Sequence, residues 1–213
     1  MIVNVLRRRA LVVVTALAAS LLPSLGSADA ATVSARVTTR TAARALAPAN
    51  SCPRVSDHLY PAADPRVDLG RITPSPSWRI DCRQLYRSDG RPPAVIFEEG
   101  FRPKDTVGGQ YDVESYVLAN QPSPYVSTTY DHDLYKTWWK SGWNYYVDAP
   151  GGIDVNRTIG DTHKYASQVE VAFPGGIAPS FVVGVCPVDK ATKTEVMSEC
   201  VDNPNYRPWR EAF

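Results

Sequence analysis

The stretch Tyr165-Ala-Ser-Gln-Val-Glu-Val-Ala-Phe173, "YASQVEVAF", decides how this chain is read. In its tail Val169, Val171 and Phe173 alternate with Gln168 and Glu170. Side chains of a strand point to opposite faces in turn, so this period of two predicts a half-buried strand over 167–173. Gln168 and Glu170 then project together from one face, an amide beside a carboxylate, against an apolar back.

Working outward, short apolar runs at 84–87, 125–129, 144–148 and 180–186 read as further strands. Helical periodicity is visible at 91–99, where Pro92 and Pro93 suit a helix start and Gly100 a C-cap, and more weakly at 112–119 and 131–140. Strands outnumber helices and do not alternate with them as βαβ units. The expected class is therefore α+β, a single domain with a mostly antiparallel core.

The N-terminus reads as a targeting segment. Arg7-Arg8-Arg9, an apolar run from Ala10 to Leu22 and an Ala28-Asp29-Ala30 cleavage pattern make residues 1–30 a secretory signal peptide. The apolar run is too short to span a bilayer. Residues 31–50 are low in complexity and read as a flexible arm or pro-segment, leaving 51–213 as the folded domain. With 1–30 removed, 183 of the 213 residues remain, with 20 basic against 21 acidic side chains. A net charge near zero argues against a protein that binds by blanketing phosphate, though not against an enzyme that engages one base at a time. A soluble, secreted monomer with no membrane partner is expected.

Four cysteines fall in the exported part, and an oxidising compartment favours two disulfides. Three connectivities are possible. Proximity in sequence favours Cys52–Cys82 and Cys186–Cys200, the second closing a loop of about 15 residues worth about 3 kcal/mol in the chain-entropy account. A zinc site of four thiolates lacks any C-x-x-C spacing, so no metal is expected.

Three further features carry the chemistry. "LYRSDGRPPAVIFEEGF" at 85–101 places Arg87 at a strand end, where its rigid fork of donors suits a diphosphate. "YVSTT" at 125–129 puts the hydroxyls of Ser127 and Thr129 on one strand face, and "QVE" follows at 168–170. In this order and spacing, Arg, then aromatic-x-Ser-Thr-Thr, then Gln-x-Glu resembles the mono-ADP-ribosyltransferase toxins. The wording of all three motifs is most similar to the pierisin- and Scabin-like DNA-guanine group, over roughly residues 78–185.

The resemblance implies an ADP-ribosyltransferase fold with a two-sheet core and flanking helices, and NAD+ as a consumed co-substrate. It implies that Arg87 holds the NAD+ phosphates, that Ser127 and Thr128 support the pocket, and that Glu170 is the catalytic carboxylate. Breaking the nicotinamide–ribose bond develops positive charge on the ribose, which a fixed carboxylate stabilises most in the transition state. Gln168 cannot act as a base, but its amide can donate to and accept from a guanine edge. By the same resemblance Trp138, Trp139 and Lys140 belong to a loop over the nicotinamide side, with Asn120 on the approach, while Trp143 and Tyr145 are core. Tyr165 stands where the guanine-modifying relatives carry Trp, and can still stack on a base. The implied reaction transfers ADP-ribose to the exocyclic amino group of guanine in DNA or in guanine nucleosides and nucleotides. Two alternatives stay open: transfer to an Asn or Gln side chain of a protein, and a secreted carbohydrate-binding protein or glycosidase that pairs Glu98 or Glu99 with Glu170.

Overall fold

Alternation governs how the strands of this protein bury themselves. The computed structural model describes residues 52–213, so the expected signal peptide at 1–30 and arm at 31–50 lie outside the described residues. Among the described residues eight strands form: β1 (Leu85–Asp89), β2 (Tyr125–Thr129), β3 (Trp143–Val147), β4 (Ile153–Asp154), β5 (Glu170–Pro174), β6 (Val182–Asp189), β7 (Thr194–Glu195) and β8 (Val201–Asp202). Every strand pairing is antiparallel, in the order β4-β5-β2-β1-β3-β6-β7, with β8 also on β6. Three short α-helices accompany them: α1 (Pro93–Glu99), α2 (Val113–Ala119) and α3 (Val155–Ile159).

The sheet separates two apolar clusters. Val171 and Phe173 of β5 and Val126 of β2 pack into one with Ile96 and Phe97 of α1. Their strand neighbours Ala172 and Tyr125 pack into the other, with Val113 and Tyr116 of α2 and Val155 of α3. Because neighbours on a strand face opposite ways, α1 covers one face and α2 and α3 the other. The caps follow the sequence. Pro93 opens α1 and Gly100, at φ 70°, closes it by donating its N–H to Ile96 O. Asp112 and Asp154 accept from the Ser115 and Arg157 amides at the starts of α2 and α3.

The expected two-sheet core takes a particular form. Strands β1 and β2 pair at one position, Tyr86 with Thr129, whereas β1–β3 and β2–β5 pair over five positions each. Two halves, β4-β5-β2 and β1-β3-β6-β7, therefore join at a splayed seam. The cysteines pair as Cys52–Cys82 and Cys186–Cys200. No helix among the described residues is long and apolar enough to cross a membrane.

Two expected elements differ. The strand expected over 167–173 begins only at Glu170. Ala166–Gln168 form a 3-10 turn, closed by Val169 N–H on Ala166 O, and Val169 adopts φ 40° and ψ 54°. The Thr129 hydroxyl donates to Gln168 O at 2.6 Å and holds that turn against the end of β2. The helix expected over 131–140 is instead two 3-10 turns, His132–Lys136 and Trp139–Ser141. Its i→i+3 bonds, such as Thr137 N–H to Leu134 O, end at Gly142 with φ 87°, before a full α-helix can propagate.

Candidate active site

The seam between β1 and β2 is where the side chains with chemistry meet. On β2, Ser127 and Thr129 share the face of Tyr125, and on β5 Glu170 shares the face of Ala172, so both strands offer polar groups just beyond the cluster packed on α2. Arg87 leaves β1 by the opposite face from Tyr86. Past the single Tyr86–Thr129 pair the strands have parted, and the Arg87 guanidinium occupies the gap, donating to Ser127 O at 2.7 Å. Its Nε donates to Asp89 Oδ2 at 3.1 Å, and Phe101 lies 5.3 Å below the guanidinium carbon.

Asp89 is the anchor of that arrangement. Arg91 clasps it through two bonds of 2.8 Å while Arg87 lies 3.0 Å away. Burial alone raises a carboxyl pKa, but these bonds and the Arg87 charge outweigh it and hold Asp89 down to about 2. Glu170 shows the opposite balance. Burial pushes its pKa above the ordinary carboxyl range, against the Ser127 hydrogen bond, the Arg87 charge and the Tyr116 hydroxyl, which favour the anion. Ser127 Oγ donates to Glu170 Oε1 at 2.5 Å, and the Tyr116 hydroxyl from α2 bonds Ser127 Oγ in turn.

Three hollows share Ser127. The first, of ≈ 140 Å³, is lined by Tyr86, Arg87, Tyr135, Trp138, Gln168 and Glu170 among others. The second, of ≈ 260 Å³, brings Asn120 and Tyr165 to the other side of Trp138, Gln168 and Glu170. The third, of ≈ 410 Å³, is cationic: Arg87, Arg91, Arg102 and Lys104 line it with Asn120. Glu170 and Gln168 form the wall common to the first two, and Trp138, 51% exposed, spans both. This is a groove with a cationic end and a half-buried carboxylate midway.

Most of the residues singled out in the sequence converge here, each in its own manner. Gln168 and Glu170 face the same cleft, but through the turn at Val169 rather than by strand alternation. Thr128 lines the first hollow while its hydroxyl is committed to Val171 O at 2.9 Å, so it braces the β2–β5 pair. Asn120 closes α2 in a left-handed conformation, φ 49°, which turns it into the groove. Lys140 is not brought in. It is exposed, with its ammonium 5.5 Å from the Trp139 ring, outside the lining of all three hollows. Glu98 and Glu99 sit exposed on α1, on the sheet face away from Glu170, so the carboxylate pair of a glycosidase is not assembled from them. Tyr145 is fully buried in the core and Trp143 packs against it.

Several site residues carried no signal in the sequence. Tyr116 reads as an ordinary core position of a helix. Asn144, on the floor of the first hollow, donates to Glu195 Oε1 at 2.8 Å, and Tyr146 and His132 reach the same carboxylate at 3.0 Å. Only Asp89 was discoverable, since it follows Arg87 by two residues and shares its strand face.

Residues 85–206 match the family model described as Scabin-like. A guanine-specific ADP-ribosyl transferase of Streptomyces coelicolor is 69% identical over 161 residues, covering 76% of this chain and 79% of that protein. Pierisin of Pieris brassicae is 39% identical over 117 residues, 49% of this chain and 14% of Pierisin. The solved structure of Scabin toxin from Streptomyces scabies in complex with NADH superposes with a TM-score of 0.75 at 72% identity, over 77% of this chain and 99% of that one. A family match that begins at β1 and runs past β8, together with a relative this similar along most of its length, shows that the chain belongs to the Scabin-like family.

Proposed function

We propose that this chain is a secreted mono-ADP-ribosyltransferase that moves ADP-ribose from NAD+ to the exocyclic amino group of guanine, in DNA or in guanine nucleosides and nucleotides. The observation that carries the reading is Glu170: a half-buried carboxylate held by Ser127 and reached by two hollows, one of them next to Arg87. NAD+ lies along the groove, with its diphosphate toward Arg87 and the cationic hollow and its nicotinamide in the hollow of Tyr86, Tyr135 and Trp138. The bond from ribose C1′ to the nicotinamide nitrogen breaks, and nicotinamide leaves with the electron pair. Positive charge then develops on the ribose beside Glu170, whose fixed negative charge stabilises it without reorganisation. The guanine amino nitrogen attacks C1′ and loses a proton to water, while Gln168 orients the base edge and Tyr165 stacks on it. Asn120 and Trp138 border the NAD+ path, and Thr128 keeps β2 and β5 in register beneath it.

The 69% identical relative named as guanine-specific supports this acceptor. Two disulfides suit an exported protein, and the reading includes removal of residues 1–30 and function as a monomer away from membranes. The test incubates the oxidised protein and its Glu170→Ala variant with NAD+ and DNA, guanosine or a protein mixture, and searches each acceptor for added ADP-ribose by mass spectrometry. A guanine adduct made by the parent and lost in the variant is expected. Labelling of protein alone would move the acceptor to a side chain.

A further inference from the structure

We propose that Tyr116 is a positioning residue for the reaction: its buried hydroxyl fixes the direction in which Ser127 offers its proton to Glu170, and so keeps that carboxylate charged and aimed. This rests on the reading of Glu170 as the catalytic carboxylate.

Asp112 caps α2 and sets its rotation, and the packing of Val113 and Val117 against the sheet turns Tyr116 toward β2. Its ring lies 5.0 Å from Tyr125 and the residue is 7% exposed, at the edge of the second and third hollows, so its hydroxyl is largely withdrawn from water. It bonds Ser127 Oγ instead. A serine hydroxyl has a single proton. Ser127 spends it on Glu170 Oε1, so the bond from Tyr116 must run the other way, with tyrosine donating. Both O–H dipoles then point along one line toward the carboxylate, an order that suits the anion. Once Glu170 carries a proton, donation from Glu170 to Ser127 and from Ser127 to Tyr116 is the matching order.

The groups facing Glu170 come from three elements. Arg87 of β1 supplies the positive charge, Ser127 of β2 the direct bond, and Tyr116 of α2, bonded to Ser127 Oγ, the donor behind it. Burial opposes all three by raising the Glu170 pKa. Removing one donor therefore leaves the carboxylate holding its proton to a higher pH.

The experiment compares the parent with Tyr116→Phe, Ser127→Ala and the double variant in NAD+ hydrolysis without any acceptor, across pH, with thermal unfolding measured alongside. For Tyr116→Phe we expect kcat at neutral pH to fall about five- to tenfold, the effect of one buried hydrogen bond. KM for NAD+ stays within about twofold, since removing the hydroxyl leaves in place the Tyr116 ring that lines the second and third hollows. The acid limb of kcat/KM moves to higher pH. Because Tyr116 acts through Ser127, adding Tyr116→Phe to Ser127→Ala changes kcat little further. An unmoved acid limb, effects that multiply in the double variant, or loss of the fold in Tyr116→Phe would each overturn the proposal. Failure of the underlying reading looks different: Glu170→Ala would then hydrolyse NAD+ as fast as the parent.

Discussion

Replacing Glu170 by glutamine separates what this residue does for catalysis from what it does to the fold. The amide keeps the shape of the carboxylate, and its oxygen can still accept from Ser127, which lies 2.5 Å from Glu170 Oε1. Substrate positioning survives, so KM for NAD+ is expected within about twofold. In the proposed reaction, what disappears is the fixed negative charge beside the developing ribose cation, a loss worth about 2.7–4 kcal/mol, or about a hundred- to a thousandfold in kcat. Stability moves the other way. Burial raises the Glu170 pKa above its ordinary value of 4.5, so the folded state holds this proton more tightly than the unfolded state does. The stability that this group contributes is full below pH 4.5 and is lost as pH rises through the raised value. Glutamine does not titrate, so Tm of Glu170→Gln exceeds that of the parent at pH 8, and the gap narrows toward pH 4.5. The assay pairs initial rates of nicotinamide release with thermal unfolding at both pH values. A variant less stable than the parent at pH 8 would refute the account of Glu170 as a carboxylate held charged against its burial.

Other expectations follow the same logic. Asp89, held down to about 2 from an ordinary 3.8, contributes stability that is present above 3.8 and lost as pH falls through 2. Asp89→Asn therefore lowers stability by about 2 kcal/mol at pH 7, and urea titrations should show the difference shrinking in acid. Parallel losses at every pH would mean that packing rather than charge holds Asp89. Val169 sits at φ 40°, a region that burdens a β-branched residue. Val169→Gly removes that penalty of about 1–2 kcal/mol and loosens the turn carrying Gln168, so guanine transfer falls severalfold with Tm changed by no more than about 2 °C. A large drop in Tm with transfer rates intact would show that the valine serves packing alone.

How much of this was readable beforehand depends on the range of the interactions. Strands β2 and β3 follow from local alternation, and the starts of α1 and α2 from proline and aspartate at their N-termini, because those signals reside within a few residues. The Arg87, Ser127 and Glu170 trio was legible because each sits on or beside a strand with its own sequence phrase. The early break of the last motif strand was not. Val169 favours strand by its own propensity, and the turn is held by groups far along the chain, the Thr129 hydroxyl on Gln168 O, 39 positions away, and the Asn156 amide on Ala166 O. Lys140, assigned with Trp138 through the family resemblance, lies outside the hollows because the 3-10 turn Trp139–Ser141 sends neighbours to different sides. Tyr116 and Glu195 were invisible for a third reason, since their partners lie on strands they do not belong to.

Glu195 also ties the cleft to the chemistry of its surroundings. It lies inside the loop closed by Cys186 and Cys200, and from there it holds Asn144, Tyr146 and His132 behind the first hollow. Outside cells that loop stays closed. In a glutathione-rich cytosol, thiol exchange would open it, the carboxylate would lose its fixed station, and the wall behind the first hollow would slacken without any peptide bond being cut. The cross-link thus reaches the groove at second hand: Asn144, Tyr146 and His132 keep their common anchor as long as Cys186 and Cys200 stay joined.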